Sequence, residues 1–409
     1  MFESEVNPQK VDRAEMVVSI PSYNEADAIG FVTRQASKGV AKYFPNKRSV
    51  IINCDNNSPD NTGQAFLDTP TEIPKMYIST PPGVKGKGNN FKNLFQRVVE
   101  LKAEAVVVVD ADLESITPEW IKHLGEPLFN DFSYVAPLYI RHKYDGTITN
   151  SIAYPLSRAL YGRRVRQPIG GDFGFRGELL ETYLGNDIWD EATANFGIDI
   201  WMTTLALNQG VPVCQSFMGR PKIHRPKDPA AALGPMFREV VGTIFELMSS
   251  FDSVWTQVRY SKPTAIYGFG LGEVEMPPKV EVDSEKLIHN FSEGFTEFEE
   301  IWKQILSGDV YQKLLEMNEM SEKVFTFPTD LWARILYDMA ISYRDARIDH
   351  DRMMDSLIPL YFGRTFSFVK KTKRMSTKQA EEAIEEDCMT FEMTKPYLIQ
   401  RWQETARKG

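Results

Sequence analysis

The chain has 409 residues, 42% hydrophobic and 25% charged, with a formal net charge of −9. Such a composition supports one large core and a smaller second one, and the acidic balance excludes a basic nucleic-acid footprint. Cys54, Cys214 and Cys388 form no close spacing, which reads as free thiols in a reducing compartment rather than a zinc site.

Residues 1–10 are polar and lack the apolar core of a signal peptide. The longest apolar run, 105–109, is strand-sized, well short of the roughly 20 residues of a membrane helix. A cytoplasmic protein with no transmembrane segment is expected, with peripheral membrane contact left open.

In chain order, the β-branched run 16–20 (MVVSI) predicts a buried parallel strand stopped at Pro21. A helix follows over 26–40, with Asn24 or Asp27 as candidate cap. Residues 50–53 predict a second strand, 55–61 a polar loop, 62–67 a helix and 75–78 a third strand. A glycine-rich loop at 83–88 leads into a helix at 90–101, and 105–109 predicts a fourth strand ending in Asp110. Strands alternating with helices predict an α/β fold, a mostly parallel sheet with flanking helices. Ligands of such sheets sit beyond the carboxyl ends of the strands, where the loops at Pro21, Asp55, Gly83 and Asp110 all fall. Past residue 234 the pattern turns helical, around 236–254, 284–305, 330–344, 352–370 and 377–389. The expected organisation is a sheet domain at 1–240 and an all-helical C-terminal domain at 241–409. Leu331, Ile335 and Met339 mark an apolar helix face suited to core packing, a homodimer contact being the alternative use.

Residues 106–112 read VVVVDAD, placing Asp110 and Asp112 just past an apolar strand. Paired carboxylates repel unless a positive charge lies between them, and a Mg or Mn ion with oxygen preference suits that place and bridges a diphosphate. Two solvated turn aspartates, or a cap before Thr117, are the plainer reading. His224 in KIHRPKD is a candidate third ligand, with Lys222, Arg225 and Lys227 suited to phosphate oxygens around it; a lone histidine is more often structural. The loop 81–89 (PPGVKGKGN) lacks Walker spacing, yet offers Lys85 and Lys87 to a diphosphate.

Taken together, PSYNEADAI (21–29), CDNNSPDNT (54–62), GKG (86–88), DAD (110–112), QPIGGDFGFR (167–176), FGIDI (196–200) and HRPKD (224–228) resemble GT-A glycosyltransferases. More narrowly, they are similar to the retaining enzymes that make glucosylglycerate, mannosylglycerate and glucosyl-3-phosphoglycerate, and FPTDLWARILYD (327–338) and LIPLYFGR (357–364) extend the likeness into the tail. The resemblance implies a nucleoside-diphosphate sugar donor (GDP- or UDP-glucose, or GDP-mannose) held by Pro21, Tyr23, Asn24, Glu25, Asp55 and Asn56, with Lys87 on the phosphates and Ala111 beside them. It implies Asp110, Asp112 and His224 on metal and diphosphate. Gly170 and Gly171 would let backbone approach the sugar, since neither carries a Cβ. Asp172 would accept bonds from sugar hydroxyls, and Asp199 would lie near the reacting centre; the plainer reading of Asp199 is a favourable charge at a helix N-terminus.

The implied acceptor segment is 141–150 (RHKYDGTITN), with Arg141, Thr147, Thr149 and Asn150 facing a small carboxylate. The phosphoglycerate enzymes carry arginine where this chain has Thr147 and asparagine where it has Pro226, so a glycerate-like hydroxy acid fits better than its phosphate. The expected activity is retaining hexosyl transfer to such an acid. Alternatives are a 3-phosphoglycerate acceptor and a lipid or polysaccharide acceptor; a nucleotidyltransferase and a non-catalytic nucleotide-sugar sensor are further rivals.

Overall fold

The computed structural model describes residues 3–224, 229–268 and 275–406. Its strands are β1 (Ser4–Val6), β2 (Met16–Ser22), β3 (Ser49–Asp55), β4 (Lys75–Ser79), β5 (Ala105–Val108), β6 (Tyr134–Leu138), β7 (Phe173–Arg176), β8 (Val213–Phe217) and β9 (Ala265–Tyr267). They form a 9-stranded sheet in the order β1-β4-β3-β2-β5-β7-β6-β8-β9. β4, β3, β2 and β5 run parallel to one another, as do β6, β8 and β9, while β7 is antiparallel to both β5 and β6 and the short edge strand β1 is antiparallel to β4. The sheet is therefore mixed, with its parallel portions joined through one reversed strand.

β2 is buried along its whole length, as a strand covered on both faces must be. It does not stop at Pro21, which pairs in register with Cys54, one step before Ser22 meets Asp55. The carbonyl of Ser19 accepts from Val109 on the β5 side. Pro21, two residues on, faces that same side where the ladder has ended, so its missing N–H costs no bond.

Fifteen α-helices accompany the strands among the described residues: α1 (Ile29–Tyr43), α2 (Thr62–Asp68), α3 (Lys87–Leu101), α4 (Pro118–Gly125), α5 (Tyr154–Tyr161), α6 (Leu179–Leu184), α7 (Glu191–Ala194), α8 (Ile198–Asn208), α9 (Pro229–Ser250), α10 (Asp252–Trp255), α11 (Ser284–Ile305), α12 (Gly308–Asn318), α13 (Thr329–Arg344), α14 (His350–Thr372) and α15 (Thr377–Ala406). α1 begins later than its periodicity suggests. Its N-cap is Ala28, with no side-chain capping bond, so neither Asn24 nor Asp27 caps it; Asn24 instead takes a left-handed turn at φ 59.

The chain forms two compact units, residues 1–140, 165–228 and 264–277 in one, and 141–164, 229–263 and 278–409 in the other. A single cut near residue 240 does not describe them, because the segment 141–164 packs with the late helices. In the first unit, Val18, Ile20, Val107 and Val109 of the sheet meet Val32 and Ala36 of α1 and Trp120 of α4 in one core. In the second, Leu331, Ile335 and Met339 are buried, and Gly294 of α11 lies so near Pro359 of α14 that a Cβ there would sit 2.3 Å from it. The helix face marked by Leu331 is thus core within its own unit. No helix among the described residues is long and apolar enough to cross a membrane. All three cysteines are buried and free, and burial pushes the Cys54 and Cys214 thiols up to about 12, leaving no thiolate nucleophile there.

Candidate active site

The register of β2 and β3 sets the first part of the site. Asp55, fully buried at the end of β3, accepts from the Ser22 hydroxyl at 2.7 Å, the Ser58 amide at 2.7 Å and hydroxyl at 2.6 Å, and the Tyr77 hydroxyl at 3.1 Å. Asn56 donates to Asn90 at 2.9 Å and accepts from the Gly86 amide at 3.1 Å. These two residues were expected on a nucleoside. In the structure their polar atoms tie β2, β3, α3 and the glycine loop together. Pro21 and Glu25 are likewise buried, whereas Tyr23 is partly exposed and Asn24 exposed. Lys85 sits 4.8 Å over the Tyr23 ring.

The glycine loop delivers Lys87 at the start of α3. Gly86 has φ 111, and a Cβ there would stand 2.3 Å from the Ala194 carbonyl; at Gly88 it would stand 2.0 Å from that of Thr193. The loop is pressed against residues 193–195, and the Gly88 amide donates to Asn195 at 3.2 Å. From that position Lys87 Nζ reaches Asp110 Oδ1 at 2.9 Å, Asp199 Oδ1 at 3.1 Å and the Gly171 carbonyl at 3.3 Å. Asp199 lies in the first turn of α8.

A second lysine completes the cluster. Lys222 Nζ lies 2.7 Å from Asp110 Oδ2, 3.1 Å from Asp172 Oδ2 and 2.8 Å from the Gly170 carbonyl. Asp172, fully buried, accepts from the Asp110 amide at 2.9 Å and from the Tyr139 hydroxyl. Gly171 has φ 84, and a Cβ on it would meet Asp110 Oδ2 at 2.4 Å and Lys222 Nζ at 2.6 Å. A Cβ on Gly170 would meet Pro137 Cγ at 2.4 Å. In the structure the missing Cβ atoms at 170 and 171 admit protein groups, a lysine–aspartate pair and a proline.

Three carboxylates here face two ammoniums. Burial opposes every one of these charges. It raises the Asp110 pKa, but the Lys222 and Lys87 charges outweigh it and hold Asp110 well below the usual carboxylate range. At Lys87 and Lys222 burial lowers the pKa, and the aspartates overcome it, keeping both ammoniums above their ordinary value. For Asp172 and Asp199 burial prevails over the lysines, and both carboxyls are pushed up.

Asp112 is buried. The next residue, Leu113, forms an antiparallel bridge with His224, reinforced by Glu114 N–H to the Ile223 carbonyl at 2.9 Å and Ile223 N–H to Ser115 Oγ at 2.9 Å. The backbone thus carries His224 beside the aspartate motif across a long chain separation. No group of three or more His, Cys, Asp or Glu side chains is placed to hold a metal among the described residues. Of the three residues expected on the metal, Asp110 has both its oxygens held by ammoniums in this structure. Arg225, Pro226, Lys227 and Asp228 lie outside the described residues.

Arg141, Thr147, Thr149 and Asn150 belong to the helical unit. Arg141 pairs with Asp145 at 3.5 Å, Thr147 shares a hydrogen bond with the Tyr361 hydroxyl, and Asn150 donates to the Asp145 carbonyl at 3.1 Å. Thr149–Ala153 is a single π-helical turn in which Thr149 and Asn150 are buried; such turns recur at functional sites.

Lys222, which the sequence offered only as a cation suited to phosphate oxygens, pairs in the structure with Asp110 and Asp172, a partnership that sequence reasoning did not foresee. Tyr139 carried no signal at all; its role depends on β6 lying next to β7.

Residues 17–181 match the family model described as Glycosyl transferase family 2. That span carries the motifs from Pro21 to Arg176 and ends before Asp199 and His224. Glucosyl-3-phosphoglycerate synthase of Petrotoga mobilis (strain DSM 10674 / SJ95) is 31% identical over 179 residues, covering 40% of this chain and 54% of that protein. Mannosylglycerate synthase of Rhodothermus marinus is 25% identical over 201 residues, covering 46% and 50%. The chain spans about half the length of these curated relatives. Among solved structures, glucosyl-3-phosphoglycerate synthase from Mycobacterium tuberculosis in complex with Mn2+, UDP and glucosyl-3-phosphoglycerate gives a TM-score of 0.45 at 20% identity, covering 57% of this chain and 80% of that one.

Proposed function

We propose that this chain is a retaining GT-A-type hexosyltransferase that moves glucose or mannose from a nucleoside-diphosphate sugar to glycerate or a similar small hydroxy acid. The observation that carries the reading is the position of Lys87, whose ammonium bridges Asp110 and Asp199 at the carboxyl end of the sheet. A bridging cation buried there suits the charge that builds on a departing diphosphate. The two curated relatives, both named as synthases of glycerate-type products, support the reading.

The residues fit a hard divalent cation in a particular way. Mg usually takes one or two carboxylates and completes its shell with substrate phosphates and water, so a site without three converging side chains is adequate for it. Asp112 and His224, which flank and form the Leu113–His224 backbone bridge, are the residues proposed to hold it, with Asp110 as the lysine anchor. Bound there, Mg or Mn supplies positive charge toward the diphosphate oxygens.

In the proposed reaction the bond between the anomeric carbon and the diphosphate oxygen breaks. The acceptor hydroxyl oxygen bonds that carbon on the same face, and its proton passes to the departing phosphate oxygen. Lys87 neutralises the diphosphate, Tyr23 and Asn24 contact the nucleoside, and Asp172, aligned by Tyr139 and the Asp110 amide, orients the donor end of the site. Asp199 fixes Lys87. Arg141 and Thr147 are the proposed acceptor contacts; threonine at 147 offers no charge to a phosphate, which favours the free acid over 3-phosphoglycerate. Three buried thiols accord with a cytoplasmic setting.

The test is a matrix of UDP- and GDP-sugars against glycerate, 3-phosphoglycerate and lactate with Mg or Mn, read by product mass. A hexosylglycerate product is expected, with its anomeric configuration unchanged from the donor by NMR. Tight donor binding without transfer to any acceptor identifies a sensor and refutes the proposal.

A further inference from the structure

Lys222 is surrounded by oxygens from three places: the Asp110 carboxylate at 2.7 Å, the Asp172 carboxylate at 3.1 Å and the Gly170 carbonyl at 2.8 Å. Its side chain is 4% exposed. Oxygen donors converging on one positive charge are what a hard cation seeks, and here the cation is part of the chain. The cradle is built for it, because the left-handed turn at Gly171 leaves room that any Cβ would take from both Asp110 and Lys222.

We propose that Lys222 is a resident counter-ion that keeps a divalent cation off Asp110 and Asp172. A metal bound with the sugar diphosphate would then rest on Asp112 and His224, as the proposed function has it. This deepens the proposed transferase reading and rests on it for the metal's eventual place. Lys222 is thus a positioning residue: it acts through Asp110, whose other oxygen holds Lys87. Without the ammonium, three buried carboxylates would face Lys87 alone, and that vacancy would draw in a free cation. A purely structural ion pair predicts something different, a loss of stability with no gain in metal affinity.

The experiment is a Mn2+ titration of the full chain without nucleotide, read by the EPR signal of free Mn2+. Lys222→Met and Lys222→Gln are expected to bind Mn2+ at least about tenfold more tightly than wild type, since a like charge a few ångströms away has been removed. Adding Asp110→Asn to either variant should abolish the gain. No gain in either variant overturns the proposal. Should both fail to fold, Asp110→Asn and Asp112→Asn are compared in the wild-type background with UDP present: Asp110→Asn is expected to keep Mn2+ and Asp112→Asn to lose it. Equal loss in the two overturns the proposal. The first titration involves no sugar nucleotide and no turnover, so its failure is distinct from failure of the transferase reading.

Discussion

Gly171 and Lys222 are in near contact: a Cβ added to Gly171 would stand 2.6 Å from the Lys222 ammonium and 2.4 Å from the Asp110 carboxylate it neutralises. The positive φ of 84 adds its own restriction. Gly171→Ala is therefore expected to break the Lys222–Asp110 pair and to cost roughly 1–3 kcal/mol of stability, measured by urea unfolding. A variant as stable as wild type with its donor affinity intact would show that this close approach is not needed.

Lys87 is held by two aspartates that are remote from it in sequence. Lys87→Met leaves Asp199 and Asp110 without a shared cation and removes the charge that faces the diphosphate. Turnover should fall by about 100-fold or more, with circular dichroism unchanged. A fall of less than about tenfold would take Lys87 out of the chemistry.

Gly88 lets the loop rest on the carbonyl of Thr193. In Gly88→Ala the methyl group has to displace backbone, and Lys87, one residue away, moves with it. Donor affinity and turnover should drop together while Lys87 itself is unchanged. Wild-type kinetics in Gly88→Ala would separate the 193–195 segment from the positioning of Lys87.

Asp55 is an acceptor surrounded by donors. Asp55→Asn turns one of its oxygens into an N–H2 that faces Ser22, Ser58 or Tyr77, so a loss of about 1–3 kcal/mol of stability is expected. If Asp55→Asn unfolds like wild type yet binds nucleotide poorly, the carboxylate touches the nucleoside after all.

Lys395 of α15 donates to the carbonyls of Ala159 at 2.8 Å and Val258 at 2.7 Å. Burial pushes its pKa from 10.5 down to about 8, with the Glu392 charge opposing. Below about 8 both folded and unfolded chains carry the proton, and the folded state bears the full cost of the buried charge. Between about 8 and 10.5 the unfolded chain binds more protons, so stability from this group rises with pH, by up to about 3 kcal/mol across the window. Lys395→Met should remove that rise; equal pH slopes in the two proteins would contradict the buried-charge account.

Much of the sheet was legible because burial on both faces leaves a direct signature. The run at 105–109 is apolar throughout and that at 16–20 is apolar but for Ser19, and both became central strands beside one another. Lys87, Asp110, Asp172 and Asp199 were also singled out in the sequence, and the structure gathers them in one cluster with Lys222. What the local pattern could not carry was partnership across long separations. Lys222 meets Asp110 over 112 residues, and Asp172 meets the Asp110 amide over 62; nothing in either segment's own composition announces the other. Polar residues in a loop after a strand look alike whether they face a nucleoside or their neighbours, so the bonds that Asp55 and Asn56 make to Ser22, Ser58, Tyr77 and Asn90 were not legible in the sequence.

Residue order alone marked the segments that become β2, β3, β4 and β5 and the late helices, and placed acidic and basic side chains past those strand ends, since periodicity and chain direction are local properties. Only the tertiary structure decided which charge neutralises which: β7 entering antiparallel beside β5 sets the Gly170–Asp172 turn against Asp110, and the resulting low-dielectric enclosure makes each carboxylate depend on a lysine brought from elsewhere in the chain.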